Sequence, residues 1–229
     1  RMVDHTRSYL WAWDARPFPS FPLQGNVWAD GPNWQRGHWL NGRLEAPELG
    51  ALINAILSDH GLPPAGVDGV EGKVHGYLVS DPSSARSALE PLIDLFDLSV
   101  QEEAERLVFR RSGSGAAVPV EIDELVSDGR EAVIEKLRTP DHQLPVEAVL
   151  GFRDPLAEYQ TVSVRNRRFG VGGSRQQVIS FPGALDPGQS RALLEDWMRR
   201  IWSERESASF AVPALHPAVV PGALVRVPA

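Results

Sequence analysis

Apolar positions fall into regular periods only after about residue 45 of this 229-residue chain. Leu49, Leu52, Ile53, Ile56 and Leu57 recur at i, i+3, i+4 spacing behind a first-turn Pro47, and Gly61 supplies a stop, which predicts a helix over 47–60. Residues 73–79 alternate enough for a strand. Ser83 or Ser84 then caps a second predicted helix in which Ala85, Ala88, Leu89, Leu92, Ile93 and Phe96 share one face, with Pro91 placed to kink it. Runs 98–101 and 106–110 read as a hairpin around an acidic EEAE turn.

Beyond about Pro119 the pattern turns mostly to strands, at 133–137, 146–152, 161–167 and 176–181, separated by Pro, Asp and Gly turns. One long helix interrupts them. Asp186 is its cap and Pro187 its first residue, while Leu193, Leu194, Trp197, Met198, Ile201 and Trp202 mark a buried face, which makes both tryptophans core residues. Residues 209–212 and 224–227 predict closing strands. The expected fold class is α+β: a small α+β unit over 45–118, then a barrel-like, mostly antiparallel β domain over 119–229 with one long helix packed across it.

Residues 1–44 lack this regularity. One apolar segment, 9–13, reads as a buried strand, and the remainder sets Trp, Pro, Asn and Gly in loop-like order. Trp11, Trp13, Trp28, Trp34 and Trp39 lie here, five of the chain's seven tryptophans, interleaved with Asp14, Asp30 and Asn41. Indole faces stack on the apolar faces of sugar rings, and nearby carboxylates and amides orient hydroxyl groups or move protons. Those eight residues are therefore the candidate carbohydrate contacts. The competing reading is structural and is the one favoured: the indoles pin a segment with few regular hydrogen bonds, and Asp14 is tied to Arg16 or to loop amides.

Composition removes several classes of function. A net charge of −7 and a pI near 5.4 oppose stable binding to nucleic acid, leaving only a local basic patch at Arg165, Arg167 and Arg168. The absence of cysteine excludes disulfides and thiolate metal sites, and the six histidines show no ligand spacing, so no metal or cofactor is expected. Gly170, Gly172 and Gly173 lack a following Lys-Ser/Thr and lie between two predicted strands, which reads as a hairpin tip rather than a phosphate loop. No nucleophile elbow, internal repeat, basic leader or membrane-spanning apolar run is present. Arg1 with Met2 behind it reads as the start of a piece cut from a longer chain.

The segments YLWAWDARPFPSFP and VWADGPNWQRGHWLNGRL closely resemble the end of the TIM-barrel-like domain in the large tail-tip, or host-specificity, protein of gene transfer agents and related siphophages. ELGALINAILSDHGLP, VHGYLVSDPSSARSALEPLIDLFDL and LPVEAVLGFRDPLAEYQTVSV resemble the hub region that follows that barrel, so the likeness runs from about Ser8 to the end. It implies a structural baseplate hub component of a phage-like DNA-delivery particle, placed at the tail tip and made in the bacterial cytoplasm. Implied partners are other tail proteins, further copies in a trimer, and the host envelope, with an envelope glycan as candidate ligand. Residues 1–44 would then be the last strand and exit loop of the barrel. Because a (β/α)₈ active site is assembled from several strand ends, the resemblance implies no enzymatic activity for this chain, despite the barrel's glycosidase-like ancestry. The alternative is a carbohydrate-binding or glycoside-hydrolase-related protein that acts on cell-wall or capsular glycan through the Trp-rich segment.

Overall fold

Helix and strand boundaries follow local chemistry closely. In the computed structural model, which describes residues 16–17, 19–28, 47–79, 83–126, 133–213, 219 and 221–227, the principal elements in chain order are α1 (Leu49–Asp59), β1 (Gly76–Tyr77), α2 (Ala85–Leu95), β2 (Leu98–Glu103), β3 (Arg106–Arg111), β4 (Val118–Pro119), β5 (Ile134–Arg138), β6 (Glu147–Asp154), β7 (Gln160–Arg167), β8 (Gln176–Ala184), α3 (Pro187–Ser203), β9 (Glu206–Phe210) and β10 (Val225–Arg226).

Each long helix has a stated start or stop. α1 ends because Gly61 takes a left-handed φ of 69°, letting its N–H reach the Ser58 carbonyl and the Leu62 N–H reach the Leu57 carbonyl, a Schellman closure. The Ser84 hydroxyl caps α2 by accepting from Ser87 N at 3.2 Å. Asp186 caps α3 by accepting from Gly188 N at 2.8 Å and Gln189 N at 3.1 Å, with Pro187 at the first position. Pro91 does not break α2, which runs on to Leu95.

The main sheet has the order β1-β8-β6-β7. β6 is antiparallel to β7 and parallel to β8, and β1 pairs antiparallel with the last residues of β8. On β6 the alternation is complete: Ala148, Leu150 and Phe152 are buried, whereas Glu147, Val149, Gly151 and Arg153 face outward. α3 lies across the inner face and adds Leu194, Trp197, Met198 and Trp202 to one core, which also takes Leu49, Ile53, Leu92, Phe96, Phe109 and Phe181. The Trp202 indole donates to the Pro145 carbonyl at 2.9 Å, and the Arg168 guanidinium stacks 4.5 Å from a Trp202 ring centroid.

The α+β class is therefore met, with three departures in detail. Among the described residues the strands form one four-stranded and three two-stranded sheets, and none closes into a barrel. Residues 73–79 supply only the two paired residues of β1. The Gly170–Gly173 stretch is not a hairpin tip, because β6 lies between β7 and β8 and the connection must cross the end of β6. Three expected strands form with shifted bounds: β5 and β9 pair as an antiparallel ribbon, and β10 pairs in parallel with β4. The β2–β3 hairpin turns on Ala104 and Glu105, both at positive φ, as a two-residue turn between right-twisted strands requires.

Candidate functional site

Of the eight candidate carbohydrate contacts, the described residues include Trp28 alone; Trp11, Trp13, Asp14, Asp30, Trp34, Trp39 and Asn41 lie outside them. Trp28 ends a tight turn in which its backbone N–H and that of Val27 both donate to the Gln24 carbonyl. Its half-buried ring meets Phe21 edge to face at 5.9 Å, and the Arg16 guanidinium sits 3.6 Å from the Phe21 ring centroid. Phe21 is almost fully buried. This is a small aromatic staple: one apolar ring anchors the turn, and Trp28 spends an edge on holding it.

A concavity lies elsewhere, between the end of α2, the β2–β3 hairpin and α3. It is a cleft of about 230 Å³ lined by Phe96, Asp97, Arg111, Asp196, Trp197 and Arg200, among others. Arg200 organises it. Its guanidinium donates to Asp97 Oδ1 at 2.8 Å, to the Asp94 carbonyl at 2.6 Å and to Asp94 Oδ1 at 3.2 Å, so one side chain ties α3 to the end of α2. Arg111 reaches Asp196 at 3.4 Å from the other wall. Asp94, Asp97 and Asp196 each face an arginine, an arrangement that joins elements. Sequence reading did not find this cluster, because its members are up to 106 positions apart.

Two titratable groups near the β1–α2 junction are perturbed. Burial lowers the His75 imidazole below its ordinary value; Asp186 pulls the other way and Lys73 adds to the lowering. Burial pushes the Tyr77 hydroxyl up to about 12, and that hydroxyl donates to the Ala88 carbonyl at 2.8 Å, which fixes β1 against α2. Among the described residues no group of three or more His, Asp or Glu is arranged to hold a metal ion. No described helix is long and apolar enough to cross a membrane. What the geometry brings together is a set of joints and open strand edges.

No curated protein matches the chain. Among solved structures, a chain in the virion of a native gene transfer agent particle superimposes with a TM-score of 0.73 at 24% identity, over 90% of this chain and 47% of that one. A tail protein from Neisseria meningitidis MC58 superimposes with a TM-score of 0.50 at 11% identity, over 80% of this chain and 57% of that one. These likenesses establish the fold, and this chain spans about half the length of the structures it matches. The family model described as putative phage tail protein matches residues 84–229. That stretch is well over half of the sequence and carries α2, the main sheet except β1, and α3. The resemblance read from the sequence is thus met at this level: the chain belongs to the putative phage tail protein family.

Proposed function

We propose that the chain is a non-catalytic hub module at the tip of a phage-like tail, assembling with other tail proteins and with copies of itself as a trimer and touching the host envelope. The observation that carries this reading is the contrast between a single well-packed core and the strand edges left open beside it, in a chain of the phage tail family. β7 ends the main sheet with eight residues unpaired along one side among the described residues, and the β5–β9 ribbon is exposed on both faces. Open edges suit a subunit whose neighbours complete its sheets. In this reading residues 1–44 end the preceding barrel, and 45–118 and 119–229 share one core and move as one body. Light scattering on the full-length parent protein, with electron microscopy of assembled particles, tests it. A trimer located at the tail tip is the expected result, and a strictly monomeric protein missing from particles overturns the proposal.

Envelope glycan contact through the Trp-rich segment is a second proposal, favoured by the part of the Trp28 ring that stays exposed beside Arg16 and Phe21. Titrating the indole fluorescence with peptidoglycan fragments and capsular oligosaccharides tests it. A saturable shift that Trp28→Ala reduces supports glycan contact, and a flat response across the panel removes it.

A further inference from the structure

The connection from β7 to β8 carries the most exposed large apolar side chain among the described residues, Phe169 at 86%. The sequence there is RNRRFGVGGSR, so Arg165, Arg167, Arg168 and Arg175 flank the ring along the chain. Gly170 at φ 77° and Gly173 at φ 130° turn the chain through conformations that L side chains rarely adopt. A Cβ added at Gly170 or Gly172 would meet nothing within 4 Å, whereas one at Gly173 would meet Val146 at 3.3 Å, so the base is seated and the tip projects.

The charge around this tip is opposite in sign to that of the whole chain. Arg165 and Arg167 lie on the outer face of β7, opposite Val149 and Glu147 of β6. Glu147 lies 3.8 Å from Arg165, too long for a strong pair. Arg167 has no ion pair among the described residues. Arg168 and Arg175 are braced by the Trp202 ring and by the Gln143 carbonyl at 2.7 Å. Four cations and no acid thus share the stretch 165–175 with one exposed apolar ring, on a molecule of net charge −7.

We propose that this loop is a membrane-contact loop, with Phe169 entering the acyl boundary of a bilayer that carries acidic phospholipids while the arginines meet the headgroup phosphates. Such a surface satisfies both halves of the loop at once: the ring leaves water, and the cations gain the negative surface potential. Nucleic acid satisfies only one half. A duplex offers phosphates and no receptacle for an isolated ring, and single-strand binding uses several aromatic platforms in a row, where the loop presents one. The inference deepens the envelope-contact part of the proposed function and relies on that reading only for its biological setting.

The chain contains no cysteine, so Phe169→Cys carries a single environment-sensitive fluorophore and Ser58→Cys on the exposed side of α1 serves as control. With vesicles of phosphatidylcholine and phosphatidylglycerol we expect sedimentation of the full chain, a blue shift at position 169 and none at position 58. Pure phosphatidylcholine should bind weakly, and added salt should release the chain. Phe169→Ser should lower vesicle affinity roughly ten-fold, the worth of one buried aromatic ring. R165E with R167E should abolish the preference for phosphatidylglycerol. Both sites are exposed, so thermal unfolding should not move, and that measurement guards against misfolding. Failure to bind either vesicle, binding unchanged by these substitutions, or tighter binding to DNA than to vesicles overturns the inference. Incorporation into tail particles without vesicle binding would remove this inference and leave the hub reading standing; vesicle binding by a chain that never assembles would do the reverse.

Discussion

The main sheet and the β5–β9 ribbon are made of similar strands, yet they stand at opposite ends of the burial scale. On β6 every second residue enters the core, whereas on β5 four of five residues are exposed and Leu137 reaches 68%. Both have hydrogen-bond ladders, continuous along β5–β9 and β6–β7 and interrupted only by a bulge near Phe152 between β6 and β8. What differs is a buried face, and this teaches where stability resides: a ladder exchanges water for protein partners at small net gain, while apolar burial supplies most of the driving force. A two-stranded ribbon without a core is marginal by itself. Here it is held by its roots, through Val126 N to the Ala211 carbonyl at 2.9 Å and Thr139 N to the Arg205 carbonyl at 2.7 Å, and by exposed Arg138–Glu206 and Arg138–Asp141 pairs. Exposed pairs of that kind contribute little, so the ribbon is the part of the molecule most dependent on a neighbour.

The strongest way to break this comparison is to remove a side chain from each region. Phe152→Ala, which empties a fully buried site on β6, should cost about 3–5 kcal/mol of unfolding free energy. Leu137→Ala on the ribbon should stay within about 0.5 kcal/mol. Urea denaturation of both variants measures the difference. Similar losses at the two sites would mean that the ribbon has a core of its own, and its proposed role as an open edge would fail.

A finer contrast lies within α3, where Trp197 and Trp202 fill the same core with different polar fates. The Trp202 indole N–H is bonded to Pro145, and the Trp197 indole N–H is buried without a partner. Replacing either by Phe removes similar ring volume, so the hydrogen bond sets the difference. Trp202→Phe should therefore cost about 1 kcal/mol more than Trp197→Phe in the same denaturation experiment. Equal costs would show that the Pro145 contact adds nothing to the packing.

The sequence made local features legible and long-range ones illegible, for a physical reason. Asp186-Pro187, Ser84 and Gly61 act on backbone groups within a few residues, so their spacing alone places the helix ends. Alternation likewise reveals that a strand exists and which residues share a face. It carries nothing about the partner: β5 meets β9 some 70 positions later, and β6 rather than β7 is the neighbour of β8. The expected barrel is not formed because the described strands divide among one four-stranded and three two-stranded sheets. The same limit applies to sites. Trp28 was singled out by residue type and proves to be partly engaged with Phe21, while Phe169 attracts no attention in sequence because exposure is a property of the folded loop. Its one legible signal is an aromatic ring between two arginines and a glycine-rich run.

The smallest expected effect concerns pH, and it should separate the sheet from the ribbon again. His75 donates its backbone N–H to the Ala184 carbonyl at 2.8 Å, beside the β1–β8 pairing, and its Nδ1 is buried without a partner. Burial holds the folded-state pKa below the ordinary 6.5, so between those values the unfolded chain binds the proton and the folded chain does not. Stability linked to His75 is therefore complete above 6.5 and declines as pH falls through that value toward the lowered folded pKa. Asp186 opposes the shift and limits its size, while Lys73 works with burial. Hydrogen exchange followed across this window should show earlier loss of protection at Tyr77 and Ala184 than along β5 and β9, and His75→Gln should flatten the response at the sheet while leaving the ribbon unchanged. Loosening that begins in the ribbon, or that persists in the Gln variant, would show that His75 does not set the acid sensitivity.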